Sequence, residues 1–134
     1  MAKFTFLHKS HKAQPIAADP GWTDLTFKAN GVARKRFYCD AAGVLESQLY
    51  LPLAFKGEGL VRVRLVREPY KGQPMDPTGY DERALVADSD GFARVRFFYR
   101  GVAEKGRRYY WQAQILGDAK ATATGTHYAE FWRK

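Results

Sequence analysis

Three histidines, one cysteine and a few closely spaced carboxylates are the side chains here whose types and spacing could do chemistry. His8-Lys9-Ser10-His11 sets two imidazoles three residues apart, a spacing that could bring both to one metal ion. No cysteine or acidic pair accompanies them, so a structural zinc site lacks its remaining ligands. Asp88-Ser89-Asp90-Gly91 has the flavour of a calcium loop, yet no third carboxylate lies near, and Asp and Gly are what a β-turn takes. Asp81 and Glu82 are adjacent, and a strand would send them to opposite faces, which makes a poor acid–base pair. A nucleophile elbow, a phosphate-cradling glycine loop and a nucleotide fingerprint are all missing from the sequence. The expectation is a non-enzymatic protein with no catalytic residues, no cofactor and no metal.

Binding chemistry is better represented. Twelve arginines stand against ten lysines, and the formal charge of +8 favours an acidic partner. Leu60-Val61-Arg62-Val63-Arg64-Leu65-Val66-Arg67 and Phe92-Ala93-Arg94-Val95-Arg96-Phe97-Phe98-Tyr99-Arg100 both alternate arginine with apolar residues. A period of two points successive side chains to opposite faces of a sheet, so one face is core and the other carries guanidinium groups. Like charges facing each other repel by about 1 kcal/mol per pair at contact in water. A face carrying Arg62, Arg64, Arg94 and Arg96 therefore gains from acidic or planar partners. Arginine suits such partners, because its planar fork makes paired hydrogen bonds and stacks on aromatics. The competing reading is a solvated sheet face in which Glu46, Glu58, Glu68, Asp81, Glu82 or Glu130 serve as cross-strand partners. Twenty aromatic residues add anchors, with Tyr50, Tyr70, Tyr80, Tyr110 and Trp132 falling on loops or on the less apolar strand faces. The candidate partner-binding set is Lys9, Lys12, Arg62, Arg64, Arg94, Arg96, Tyr70 and Tyr80.

The elements that must position these residues are strands. At this length the chain forms one domain, with residues 1–21 as an N-terminal arm and 22–134 as the folded body. Within the arm, Lys3 to Leu7 could form a short strand. His8 to Gly21 has two prolines and few large apolar groups, so it must fold back on its own domain or lie on a partner; the partner is expected. Trp22 to Ala29 and Arg34 to Tyr38 flank Asn30-Gly31, a strong hairpin signal. Val44 to Phe55 places Leu49, Leu51, Leu53 and Phe55 on one face, and Pro52 marks an edge strand or a bulge. Glu68 to Gly79 reads as a long loop, Tyr80 to Ala87 as a weak strand and Asp88 to Gly91 as a turn. Tyr109, Trp111, Ala113 and Ile115 then alternate with Tyr110, Gln112, Gln114 and Leu116; Gly117 to Gly125 is small and polar, and Thr126 to Arg133 closes the chain. Eight or nine strands with regular turns and no helix predict an all-β antiparallel β-sandwich, immunoglobulin-like or jelly-roll-like.

Cys39 stands alone, which excludes an intrachain disulfide framework and fits a reducing compartment; it is expected to be a small buried hydrophobe or an idle thiol. No apolar run suits a signal peptide or reaches the ~20 residues that span a bilayer, so synthesis in the cytoplasm is expected. The segment Gly106-Arg107-Arg108-Tyr109-Tyr110-Trp111-Gln112-Ala113-Gln114-Ile115, followed by Tyr128-Ala129-Glu130-Phe131-Trp132, resembles the final hairpin of immunoglobulin-like and fibronectin type III-like sandwiches. In overall character, a small basic β-sandwich with an arm and no active site is similar to bacteriophage virion components such as decoration, head-fibre-base or minor tail proteins. That resemblance implies a structural subunit of a particle, made in the host cytoplasm, binding other subunits as a homo-oligomer or on the particle through its arm and arginine face. Two other readings stand beside it. A carbohydrate-binding module would stack Trp22, Trp111 or Trp132 on sugar rings and needs an exposed aromatic row. A single-strand nucleic-acid binder would use Arg94 and Arg96, which share a face with Phe92 and Phe98.

Overall fold

Two-residue periodicity broken by Gly, Pro, Asn and Asp divides the chain into strands. The computed structural model describes residues 2–7, 13–29, 31–68 and 76–134, with backbone alone at 2–7, 29 and 76–79. In chain order the strands are β1 (Ala2–Leu7), β2 (Gln14–Pro15), β3 (Thr23–Asp24), β4 (Phe27–Ala29), β5 (Val32–Arg34), β6 (Phe37–Tyr38) and β7 (Gly43–Lys56). They continue with β8 (Gly59–Glu68), β9 (Asp76–Ala84), β10 (Phe92–Ala103), β11 (Arg108–Gly117), β12 (Lys120–Ala123) and β13 (Tyr128–Arg133). No helix among the described residues is long and apolar enough to cross a membrane.

Two antiparallel sheets stack into a jelly-roll β-sandwich. In the first, β7 is the spine: β10 runs along one side of it, and the other side is shared by β13, extended by β1, and by β12, extended by β2. The second sheet orders β9, β8 and β11, with β3 and β6 both pairing on the far side of β11. The chain changes sheets from β7 to β8, from β9 to β10, and again on each side of β11. Between the sheets, Leu45, Leu49, Leu51 and Leu53 of β7, Phe97 of β10 and Phe131 of β13 pack against Val61, Val63 and Leu65 of β8 and Tyr109, Trp111, Ala113 and Ile115 of β11. Phe131 stacks on Phe37 with ring centroids 5.1 Å apart. A buried polar link crosses this core: the Trp111 indole Nε1–H donates to Ser47 Oγ at 2.9 Å, and Ser47 donates to the Glu130 carbonyl at 2.8 Å.

The expected all-β antiparallel sandwich is the observed fold. The expected hairpin forms as β4 and β5, with Gly31 at φ +80°; Asn30 lies outside the described residues. Other expectations are corrected. Pro52 lies in the spine of the first sheet rather than on an edge strand. A missing N–H is tolerated there because Pro52 falls where β12 gives way to β13, and its carbonyl accepts from Thr124 N–H at 3.0 Å. The immunoglobulin-like closing hairpin does not form, since β11 and β13 belong to opposite sheets. Residues 76–79 extend β9 into the expected loop, and β12 occupies part of the stretch read as small and polar. The N-terminal segment enters the sandwich at three places: β1 pairs with β13, β2 pairs with β12, and Ala18 bridges Ile115. Those pairings place the described arm residues on their own domain, so they lend no support to an arm spread over a partner.

Candidate functional site

The two arginine strands do not build one surface. Arg62 and Arg64 belong to β8 in the second sheet and Arg94 and Arg96 to β10 in the first, and each pair points away from the shared core. The expected four-arginine face is therefore two faces on opposite sides of the sandwich. Parity along a strand tells inside from outside; it does not tell which sheet the strand joins.

On the second sheet the guanidinium groups are held by their own chain. Arg62 donates to Gln114 Oε1 at 3.1 Å, pairs with Glu82 at 3.5 Å and lies 4.7 Å from the ring centre of Tyr80. Arg64 donates through Nε to Gln112 Oε1 at 2.7 Å and stacks 3.9 Å over Trp22. Burial pulls the Arg64 pKa below its ordinary value. Gln112 passes the network on to Asp24 at 2.6 Å, which Lys35 also binds at 2.5 Å. Burial raises the Asp24 carboxyl pKa, but the hydrogen bonds from Lys35 and Gln112 outweigh it and hold the group below its usual range. Lys35 and Arg36 stand over Tyr110, which is buried rather than available as an anchor. The polar side of β11 is covered this way: Gln114 donates to the Gly21 carbonyl at 2.8 Å beneath the segment leading into β3.

The first sheet presents a different surface. Three outward rows run across β13, β7 and β10: Tyr128, Tyr50 and Arg96; Glu130, Gln48 and Phe98; Trp132, Glu46 and Arg100. Arg96 lies 4.4 Å from the Tyr50 ring centre and donates to the Tyr128 hydroxyl at 3.1 Å, while the two tyrosine rings sit 5.3 Å apart. Phe98 and Val102 are 69% and 70% exposed on the same side of β10. Among the described residues, Arg96 and Arg100 form no ion pair, whereas Glu46 pairs with Lys134. Arg94 differs from Arg96. It is gripped by Asp88 and, at 3.3 Å, by Asp90, whose turn is organised by Asp88 Oδ1 accepting from the Asp90 and Phe92 amides at 2.9 and 3.1 Å. The outward parity of Phe98 was legible beside Arg94 and Arg96. Tyr50 and Trp132 are also legible as anchors, whereas the part played by Tyr128 and Val102 needed the register.

Of the remaining expected residues, Tyr80 is exposed on the edge strand β9, and Lys9, Lys12 and Tyr70 lie outside the described residues, as do His8 and His11. His127 sits in the turn before β13 rather than in the strand. It is buried, with Nδ1 2.6 Å from the Thr124 carbonyl and Nε2 2.7 Å from that of Thr26. Cys39 is buried, its thiol donating to the Ala41 carbonyl, and burial raises its pKa. The tryptophans occupy three separate places and make no common row: Trp111 in the core, Trp22 under Arg64 and Trp132 outside the first sheet. Among the described residues no group of three His, Cys, Asp or Glu side chains could hold a metal ion.

No protein-family model matches the sequence, and no curated protein sequence matches it. Solved structures do match the fold. Murine APRIL at pH 5.0 superposes with a TM-score of 0.63 at 10% identity, covering 99% of this chain and 100% of that one. Eiger TNF from S. frugiperda gives 0.62 at 7% identity over 98% and 91% of the two chains, and murine APRIL at pH 8.5 gives 0.56 at 11% over 99% and 100%. At such identities the likeness shows a TNF-like jelly roll and nothing about activity. None of these structures is a bacteriophage protein, so they give the virion resemblance no support.

Proposed function

We propose that this chain is a non-enzymatic assembly protein whose first-sheet outer face docks on another copy of itself. The observation that carries the reading is the exposed Phe98 beside an Arg96 guanidinium already flattened on Tyr50 and tied to Tyr128. Holding that arginine in place lowers the entropy lost on binding, and Arg, Tyr, Trp and Phe are the residues that dominate buried interfaces. A second copy fits the charge pattern. Arg100 shares a row with Glu46, and Glu130 stands in the row between those of Arg96 and Arg100, so a rotated copy can set acid against base around an apolar centre of Phe98 and Val102. Virion location is carried by no residue of this surface, and assembly is proposed without it.

Single-strand nucleic-acid binding has one observation in its favour, the shared outward parity of Phe92, Arg94, Arg96 and Phe98. Against it, Arg94 is committed to Asp88 and Asp90. Gel filtration with light scattering on Phe98→Asp and Arg96→Glu separates the readings. Both variants are expected to remain folded and to shift from oligomer to monomer. Unchanged mass in both, or tight oligothymidylate binding that falls steeply with added salt, would overturn the assembly reading.

A further inference from the structure

β10 is an edge of the first sheet: β7 pairs with it along its whole length, and among the described residues no strand pairs with its other side. The hydrogen bonds of β7 show which backbone groups of β10 that leaves. Val44 exchanges both of its bonds with Lys134, and the Pro52 carbonyl accepts from Thr124 N–H, so the even-numbered residues of β7 face β13 and β12. Its odd-numbered residues therefore face β10, and the register pairs odd with odd. The even-numbered residues of β10 send their N–H and C=O groups to the open edge. At its two ends a carbonyl is in use: that of Phe92 accepts from Asp88 N–H at 2.8 Å, and that of Val102 from the Tyr109 hydroxyl at 3.4 Å. Arg94, Arg96, Phe98 and Arg100 lie between, their backbone groups without a partner among the described residues and their side chains exposed on the outer face.

We propose that this edge binds an extended acidic peptide segment of another protein, added antiparallel as a further strand, with carboxylates beside Arg96 and Arg100 and an apolar side chain beside Phe98. Charge selects that occupant. Arg94 is gripped by Asp88 and Asp90, but Arg96 and Arg100 have no ion pair among the described residues, and Glu46, directly across from Arg100, is taken by Lys134. A second copy's β10 centred on Phe98 would set Arg96 against Arg100 twice, the kind of like-charge opposition that blunts an open edge. Acids at those two places turn the repulsion into attraction, while main-chain hydrogen bonds supply affinity. Nucleic acid has the charge but no ladder of N–H and C=O groups to match the edge. The added strand lies beside β10 rather than over it, so the proposal stands independently of self-docking by the outer face.

The peptide acetyl-Thr-Glu-Thr-Val-Thr-Glu-Thr-amide, titrated into the whole isotope-labelled chain with amide hydrogen exchange as the readout, tests this. Saturable binding is expected, with the amides of Arg96, Phe98 and Arg100 slowed at least about tenfold and those of Val95, Phe97 and Tyr99, already in the ladder, unchanged. N-methylation of the peptide's valine, whose N–H faces β10, should abolish binding; N-methylation of the threonine before it should not. Lysine in place of both glutamates should weaken binding at least about tenfold, and Arg96→Glu and Arg100→Glu about tenfold each. Both arginines are exposed, so these substitutions leave the core intact. Absence of saturable binding, binding without protection of those three amides, or equal binding of the lysine or valine-methylated peptide would overturn the proposal. Protection of the same amides that rises with protein concentration alone would also overturn it, by giving the edge to a second copy.

Discussion

Ser47 is a small residue with a large structural burden. It is fully buried on β7, accepts from the Trp111 indole of the opposing sheet and donates to the Glu130 carbonyl of its neighbour strand. Alanine at this position would leave a buried indole N–H without its acceptor, at a cost of about 1–3 kcal/mol. Urea unfolding of Ser47→Ala should show that loss with an unchanged slope. Asp24 contributes differently, through charge. Its folded pKa is held below the ordinary aspartate value, so the folded state binds the proton less readily than the unfolded chain. The stabilisation is therefore present above an unfolded pKa of about 4 and is lost as pH falls through the lower folded value. Asp24→Asn should be less stable than the parent at neutral pH, and the gap should close on acidification. Thermal unfolding of both proteins across that range measures it; a gap that stays constant would remove Asp24 from the account.

Elements explain what side-chain types alone do not. Two sheet-changing turns meet where β8 and β11 begin and end, and Gly59 and Gly117 are cross-strand partners there. A Cβ on Gly59 would lie 2.1 Å from the Leu116 carbonyl oxygen, so Gly59→Ala must push two backbones apart. A loss of about 1–3 kcal/mol is expected from that overpacking, read as a lower unfolding midpoint. Much at this scale was legible in the sequence. Val61, Val63 and Leu65 announced the inward face of β8, and Tyr109, Trp111, Ala113 and Ile115 that of β11. What stayed hidden has physical causes. β12 is Lys-Ala-Thr-Ala, whose alanines have little strand preference and are buried because they face the core between the two sheets. Gln112 and Gln114 look like an exposed face until the approach to β3 lies over them, a contact about ninety residues away along the chain. Partition of the arginines between two sheets depends on the same long-range pairing, and period-two parity carries no information about it.

Taken whole, the sandwich has two unlike outer surfaces. On the second sheet Arg62 and Arg64 are consumed by Gln114, Glu82, Gln112, Trp22 and Tyr80, a closed network that leaves little for a partner. The first sheet leaves Phe98 and Val102 in solvent next to a stacked Arg96 and an Arg100 without an ion pair among the described residues. Apolar exposure of this kind beside a stacked guanidinium is what supports the proposed docking face. The net charge of +8 makes identical copies repel at long range, so the apolar centre has to supply the attraction at contact. The most direct test is the molar mass of the native chain by sedimentation equilibrium over a dilution series reaching about 100 µM, beside Phe98→Asp. The account predicts a mass rising to a fixed multiple of 15.3 kDa for the parent and a monomer throughout for the variant. A parent protein that stays at the monomer mass across the whole series would contradict it.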